Sequence, residues 1–563
     1  MSSLLSSRTA ADAARPGWNP LTLAVLASLW IAGPANWPLW RALSNLPETA
    51  TPRGAWFIAG FALMVAAVHA LLLALAAWPR TIKPVIALFL VSAAAGAHFM
   101  GTYGVVIDST MMVNVLQTDL RETRDLMSLR LLLGLVGLAG LPLLVLWRVP
   151  VARTAAARQA LRNSLGMLAS VVLLAGLLFA LFADLSATMR NHKSVRYLIN
   201  PLNSFYALAV LAREANAIPP GPPTPIGQHA TLAPRPPGAR PPLLLLVVGE
   251  TARADHFALN GYPRPTTPRL SKLPVISFTD VSSCGTSTAA SLPCMFSHLG
   301  RVGYEAREAE YENLLDLAQH AGLAVLWLDN QSGCKGLCER TANAFARDPA
   351  PGRGPLPATL CRDGECYDEA LLHDLDARLA ALDPARLARG VLLVLHQMGS
   401  HGPAYYKRSP PDRKPFTPEC TTNVLQQCAP DALVNAYDNS IAYTDHVLAS
   451  AIAWLQGQAA HFDPALLYVS DHGESLGEKN LYLHGVPFAF APREQTHVPM
   501  LAWLAPQTEA SSGLALDCLK RLKDRPLSHD HLFHTVLGLL GVQAPDVQRT
   551  ELDAFAACRR AAP

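Results

Sequence analysis

The chain has 563 residues, half of them hydrophobic and only 16% charged, against the roughly 25% charged content usual for soluble domains. Length and composition together imply more than one domain, one of them in a membrane. The formal charge of +3 is spread along the chain without a basic block, which excludes the electrostatic footprint of a nucleic-acid partner.

From the N-terminus, Met1 to Pro20 lacks a short apolar core followed by a small-residue cleavage pattern, so no cleavable signal peptide is expected. Apolar stretches of the roughly 20 residues that a bilayer crossing needs lie near 21 to 45, 55 to 78, 82 to 105, 128 to 148 and 164 to 186. Five crossings are expected, the first interrupted by Pro34 and Pro38, which a membrane helix tolerates when neighbours satisfy the freed backbone groups. Arg8 and Arg15 precede the first stretch, Arg80 and Lys83 separate the second and third, and Arg148, Arg153, Arg158 and Arg162 separate the fourth and fifth. These alternate segments should face the cytoplasm, so an odd number of spans puts everything after about residue 187 outside.

In the outside loop between spans three and four, MMVNVLQTDLRE spaces Asn114, Thr118 and Glu122 four residues apart. On one α-helix that spacing drifts only about 40° per step and forms a polar stripe. Met111, Val115, Leu116 and Leu120 occupy other parts of the surface, as for a helix lying at a bilayer interface; an ordinary amphipathic surface helix reads the same way.

After the last span, Ile218 to Pro242 contains PPGPPTP and APRPPGARPP, a proline-rich linker expected to be extended and semi-rigid. From about residue 241 to 563 short apolar runs alternate with helical patterns, a soluble domain long enough to bury its own core. All ten cysteines fall there. Their spacing suggests Cys284 with Cys294, Cys334 with Cys338, Cys361 with Cys366 and Cys420 with Cys428, leaving Cys518 for Cys558 by elimination; an oxidising compartment permits five such bridges. A metal site is the rival reading, because Cys334 and Cys338, or Cys361 and Cys366, are loosely spaced like zinc ligands.

Four apolar runs read as buried parallel strands. LLLLVVGE ends at Glu250, LAVLWLDNQ at Asp329 and Asn330, VLLVLHQMGSH at His396 and His401, and ALLYVSDHGE at Asp471 and His472. Open α/β sheets bind ligands at the carboxyl ends of their strands, so these distant segments should meet at one edge. Glu250, Asp471 and His472 offer the oxygen and nitrogen ligands that zinc accepts. Any one of them alone also reads as a cap or a hydrogen-bonded core residue; it is their convergence that points to a site. The stretch SSCGTSTAASLPC supplies Ser283, Thr286, Ser287, Thr288 and Ser291 as hydroxyl nucleophiles that a metal would activate. A helix beginning after Thr288 would turn free N–H groups toward a phosphate. Residue chemistry leaves the choice among the five hydroxyls open.

The segments VVGETARADHFALNGY, SCGTSTAASLPCMFS, LHQMGSHGPAYYKR, YVSDHGESLGE and NLYLHGVPFAFAP carry a specific resemblance. The chain resembles the phosphoethanolamine to lipid A transferases, the group that includes the mobile colistin resistance enzymes. The likeness runs end to end, through SHDHLFHTVLGLLGV and LDAFAACRR. It implies a five-helix transmembrane domain over residues 1–187, a bridging segment over 188–240, and an α/β sandwich catalytic domain of the alkaline phosphatase and sulfatase type over 241–563. It also implies a bacterial inner-membrane protein with that domain in the periplasm.

By the same resemblance Thr288 carries the phosphoethanolamine intermediate, with Glu250, Asp471 and His472 completing a zinc shell; one zinc is expected and a second is admissible. His401 and His484 would lie near a second metal or the substrate phosphate. Gln331 and Lys335 would line the substrate pocket, and Asn114, Thr118 and Glu122 would hold the donor head group. The expected partners are phosphatidylethanolamine as donor, lipid A as acceptor and membrane lipids, with His396, His497 and Lys407 left to structural roles. Rival readings are a transferase acting on another envelope glycan, since one fold serves several acceptors, and a non-catalytic envelope sensor that keeps the ligand shell. A sulfatase would need Cys or Ser followed two residues later by Pro and then Arg, whereas Cys294 opens CMFSH.

Overall fold

The computed structural model describes residues 17–118, 120–218, 221–362 and 364–559; Arg8 and Arg15 lie outside them. The chain forms two compact units, one of Met1–Met112 with Met127–Val210, the other of Val113–Leu126 with Leu211–Pro563.

The first unit is helical. It contains α1 (Pro20–Ala32), α2 (Trp37–Ser44), α3 (Pro52–Leu75) and α4 (Ile82–Tyr103), then α7 (Leu129–Arg148) and α8 (Ala156–Asn191). Among the described residues four helices, α3, α4, α7 and α8, are long and apolar enough to cross a membrane. The stretch near 21 to 45 is not one helix: it breaks at Gly33 and a 3-10 turn over Pro34–Asn36. Pro34 and Pro38 each open a helical piece, because proline lacks the N–H that a continuing ladder would use. The break is satisfied internally. Asn36 Nδ2 donates to the Ile31 carbonyl at 2.8 Å, and the Asn200 N–H donates to Asn36 Oδ1 at 2.9 Å, as buried backbone groups require. Outward-facing Leu129, Leu132, Val172 and Phe179 stay exposed on α7 and α8, surface that suits hydrocarbon.

The expected stripe MMVNVLQTDLRE does not ride on one helix. It divides into α5 (Ser109–Gln117) and α6 (Leu120–Leu126), with Thr118 past the end of α5. The Thr118 hydroxyl donates to the Asn114 carbonyl at 2.8 Å, and side chains that bond nearby backbone in this way compete with the helical ladder. Asp119 and the side chain of Glu122 lie outside the described residues.

The proline-rich segment is not a free spacer from Thr224 onward. The Thr224 N–H donates to the Glu310 carbonyl at 2.7 Å, that of Glu312 donates back to Thr224 at 2.9 Å, and Thr231–Leu232 pairs antiparallel with Val542–Gln543. The few N–H groups between the prolines find acceptors on the domain surface, Glu312 for Ile226 and Asp546 for Gly227, instead of water.

The second unit is built on seven strands: β1 (Pro242–Gly249), β2 (Ile276–Phe278), β3 (Ala324–Asp329), β4 (Ala342–Phe345), β5 (Val391–His396), β6 (Asp463–Ser470) and β7 (Met500–Leu504). Their spatial order is β2-β7-β6-β1-β5-β3-β4. The four apolar runs are the central parallel strands β6, β1, β5 and β3, and β7 and β2 add antiparallel pairing at one edge, so the sheet is mixed. Parallel strands need both faces covered, and β1 alternates accordingly. Leu244, Leu246 and Val248 join the core with α11 (Leu532–Leu540), while Leu243, Leu245 and Val247 join the one with α10 (Pro430–Gly457).

Five disulfides link Cys284–Cys294, Cys334–Cys338, Cys361–Cys366, Cys420–Cys428 and Cys518–Cys558. Among the described residues no cysteine is free to serve as a metal ligand. Leu246 is fully buried at the centre of this sheet; Leu246→Ala is expected to cost about 2–5 kcal/mol, measured by denaturant unfolding of the purified protein.

Candidate functional site

Strand register brings the site together. Ser470 pairs with Gly249 across β6 and β1, so the next residues, Asp471 and Glu250, leave the sheet side by side. Asp471 spends one oxygen locally: Oδ1 accepts the N–H of His472 at 2.7 Å and that of Thr251 at 3.2 Å. Its other oxygen, Oδ2, has no hydrogen-bond donor, nor does Glu250 Oε1, and both residues are fully buried. His472 Nδ1 donates to the Gly473 carbonyl at 2.9 Å. That bond fixes the tautomer and leaves Nε2 facing Glu250 Oε1 and Asp471 Oδ2, each at 3.4 Å.

Two buried carboxylate oxygens without donors carry a heavy desolvation cost unless a cation answers them. The electrostatics agree. Burial raises the Asp471 pKa and the charge of Glu250 raises it further. Burial works against a charged His472, yet Asp471 and Glu250 hold its pKa well above the ordinary value. Burial likewise opposes the Glu250 charge, but His472 keeps that carboxyl below the usual range. The cluster thus attracts positive charge, and one oxygen or nitrogen from each of the three residues lies within 4.8 Å of the others. The donor set fits a divalent cation that accepts both nitrogen and oxygen.

Geometry separates the five hydroxyls. Thr288 opens α9 (Thr288–Met295), and its Oγ1 donates to Glu250 Oε2 at 2.9 Å while lying 3.4 Å from His472 Nε2. Ser283 Oγ instead donates to the Gly285 carbonyl, Thr286 Oγ1 to that of Val486, and Ser291 Oγ to that of Asp471. Ser287 Oγ is buried without a partner. Thr288 is the hydroxyl of the five that bonds a side chain of the cluster.

The His484 ring lies tilted beside that of His472, centroids 4.5 Å apart, and the His401 ring is 5.6 Å from that of His484. His484 Nδ1 donates to Glu474 Oε2 at 3.0 Å, and the Tyr405 hydroxyl donates to Glu474 Oε1 at 2.9 Å. Burial pushes the His401 pKa down to about 3, so that ring is neutral. Gln331 and Lys335 lie on the loop leaving β3, joined through Ser332: its hydroxyl donates to Gln331 Oε1 at 2.6 Å and accepts from Lys335 Nζ at 2.8 Å. Asp329 turns to His396, 2.9 Å from its Nδ1. His497 Nε2 donates to the Thr279 carbonyl at 2.7 Å, a structural contact.

Sequence reasoning passed over His529. Its Nδ1 accepts the Cys284 N–H at 3.0 Å and its Nε2 donates to the Ser470 carbonyl at 2.9 Å, tying the Thr288 loop to the end of β6. The histidine-dense SHDHLFH was the only local sign.

The Sulfatase family model matches residues 242–542, and that of Phosphoethanolamine transferase EptA/EptB matches residues 65–215. Phosphoethanolamine transferase EptA of Escherichia coli K12 is 38% identical over 557 residues, 97% of this chain and 98% of that protein. The chain belongs to the phosphoethanolamine transferase family. Another relative of this transferase, Phosphatidylethanolamine transferase Mcr-1 of Escherichia coli, is 37% identical over 94% of the chain and 96% of its own length. Among solved structures, the integral membrane protein lipooligosaccharide phosphoethanolamine transferase A from Neisseria meningitidis matches with TM-score 0.90 and 35% identity, over 96% of this chain and 99% of that one. The transferase therefore pairs a membrane domain with a catalytic domain of the alkaline phosphatase and sulfatase fold.

Asp471→Asn is expected to weaken metal retention by more than the roughly 10- to 100-fold that loss of an outer partner costs, read as metal content by plasma mass spectrometry. Burial also pushes the His529 pKa from 6.5 down to about 3. Between those values the unfolded chain binds a proton that the folded chain does not, so this histidine's share of stability is lost as pH falls through that window. His529→Gln should show a shallower loss of unfolding midpoint between pH 6.5 and 3 than the wild type does.

Proposed function

We propose that this transferase moves phosphoethanolamine from phosphatidylethanolamine to a lipid A phosphate through a covalent phosphothreonine at Thr288. The observation that carries the reading is the Thr288 hydroxyl, buried and bonded to Glu250 beside His472. The names of the relatives support the transferred group, and the meningococcal structure named for lipooligosaccharide supports the acceptor.

Glu250, Thr288, Asp471 and His472 would hold a zinc ion, which when bound lowers the pKa of a hydroxyl and polarises phosphoryl oxygens. In the first half-reaction Thr288 Oγ1, oriented by its hydrogen bond to Glu250 Oε2, gives up its proton to water and attacks phosphorus. The bond from phosphorus to the diacylglycerol oxygen breaks, and that oxygen takes up a proton. In the second, a lipid A phosphate oxygen attacks the phosphothreonine, and Oγ1 leaves and regains its proton. The N–H groups of the first turn of α9 lie beside the transferring group, where anions are stabilised. Neutral His401 would donate an N–H bond to a phosphate oxygen, and His484, whose Nδ1 is bonded to Glu474, would stand beside that phosphate or join His401 in holding a second metal. Phosphoryl transfer depends on such positioning and electrostatics.

Gln331 and Lys335 would line the substrate pocket, and Asn114, Thr118 and Glu122 would hold the donor head group. We assign residues 1–187 to a transmembrane domain, 188–240 to a bridge and 241–563 to a catalytic domain on the periplasmic side of the inner membrane. The broken pair α1–α2 is counted as the first of five crossings. Masking a lipid A phosphate lowers the negative charge of the surface and so weakens binding of cationic peptides such as polymyxin.

Mass spectrometry tests this directly. Cells expressing the wild type should yield lipid A heavier by phosphoethanolamine, and the purified protein incubated with donor should carry the adduct on Thr288. Thr288→Ala should lose both while costing no more than about 1–3 kcal/mol of stability, and Thr288→Ser should keep part of the activity. Full modification by Thr288→Ala would place the nucleophile elsewhere.

A further inference from the structure

Asp125 sits on α6, in the Val113–Leu126 segment that is compact with the catalytic body. Its side chain is only 5% exposed. Three residues of that body converge on it. Lys407 Nζ donates to Oδ1, Arg408 Nη2 donates to Oδ2 at 3.1 Å, and Asn423 Nδ2 donates to the Asp125 carbonyl at 2.6 Å. Arg408 is itself only 4% exposed. Its Nε donates to the His401 carbonyl at 2.8 Å and its Nη1 to Glu365 Oε2 at 2.8 Å.

One guanidinium therefore spans Asp125 on one side and Glu365 with the His401 backbone on the other. Exposed ion pairs hold little. This one is desolvated, two carboxylates against two cations, and its planar fork accepts few geometries. Breaking a buried pair leaves an uncompensated charge, so the segment has one favoured seat. The same segment carries Asn114 and Thr118, whose placement relative to Thr288 then depends on Asp125.

We propose that Asp125 is a positioning residue: its clasp on Lys407 and Arg408 seats the 113–126 segment on the catalytic body, so that a membrane-borne donor is presented to Thr288 in register. The proposal rests on the reading of this site as a phosphatidylethanolamine transferase. Loss of Asp125 frees the segment but leaves Arg408 tied to Glu365 and to the His401 carbonyl, so the chemistry at Thr288 stays intact. The deficit falls on the lipid donor alone.

The test uses the full chain in two assays: single-turnover diacylglycerol release from vesicles of phosphatidylethanolamine and phosphatidylglycerol, and cleavage of nitrophenyl methyl phosphate, a soluble diester without the ethanolamine group that the segment would hold. Asp125→Asn should slow the vesicle reaction about 100-fold, the scale of an ångström-sized misplacement. It should leave ester cleavage within about threefold, an interaction lost for one substrate only. If Asp125→Asn does not fold, Lys407→Met removes the more exposed partner and should show the same split. Equal losses on both substrates, or an undiminished vesicle reaction, overturn the clasp. Thr288→Ala separates the two ideas: if it still releases diacylglycerol, the reading of the site fails, whereas an inactive Thr288→Ala beside a fully active Asp125→Asn removes only the clasp.

Discussion

Two carboxylates, Glu250 and Asp471, are buried side by side at the ends of adjacent parallel strands, each with an oxygen that no hydrogen reaches. Such an arrangement is unstable by itself, because like charges in a poorly solvated place repel and neither is solvated. His472 answers part of the demand, and a divalent cation would answer the rest. Metal affinity and the stability of this end of the sheet would then be linked, since whatever binds the folded cluster and not the unfolded chain stabilises the fold.

The surrounding loops hold that cluster shut. Asp368 accepts the N–H groups of Met398 at 2.7 Å and Gly399 at 2.9 Å, pinning the turn that leaves β5. Gly399 has φ +53° and runs so close to Glu250 that a Cβ would come within 2.6 Å of its carbonyl oxygen, so glycine is required there on both counts. On the other side, the Cys284–Cys294 bridge and the His529 bonds fix the loop that presents Thr288. The Thr288 hydroxyl is positioned by the ends of a rigid sheet and by short tethers, which is how a site keeps its geometry without substrate.

The membrane part follows a different rule. Its helices meet hydrocarbon outside and each other inside, so backbone breaks survive only where buried side chains replace the lost bonds. Asn36 and Asn200 do this where α1 gives way to α2. Those paired asparagines lie far apart in the chain, and a hydropathy profile treats both as interruptions.

The sequence by itself determined the four central strands, because a short apolar run ended by an ionisable residue is a local pattern. Close cysteine spacing and the end-to-end family resemblance were equally legible. Tertiary structure decided what depends on register. Ser283, Thr286, Ser287, Thr288 and Ser291 share one stretch and one chemistry, and it takes the pairing of Ser470 with Gly249, together with the His529 bonds that tie the loop to it, to bring Glu250 and the Thr288 hydroxyl together. It decided also that the Asn114 to Glu122 stripe divides between two helices, that the proline-rich segment is strapped to the domain, and that His529 and Asp125 each bond distant segments. Each of these rests on a hydrogen bond or ion pair between residues remote in sequence or on a break in a helix. Periodicity records which face a residue shares, and not which distant partner will meet it there.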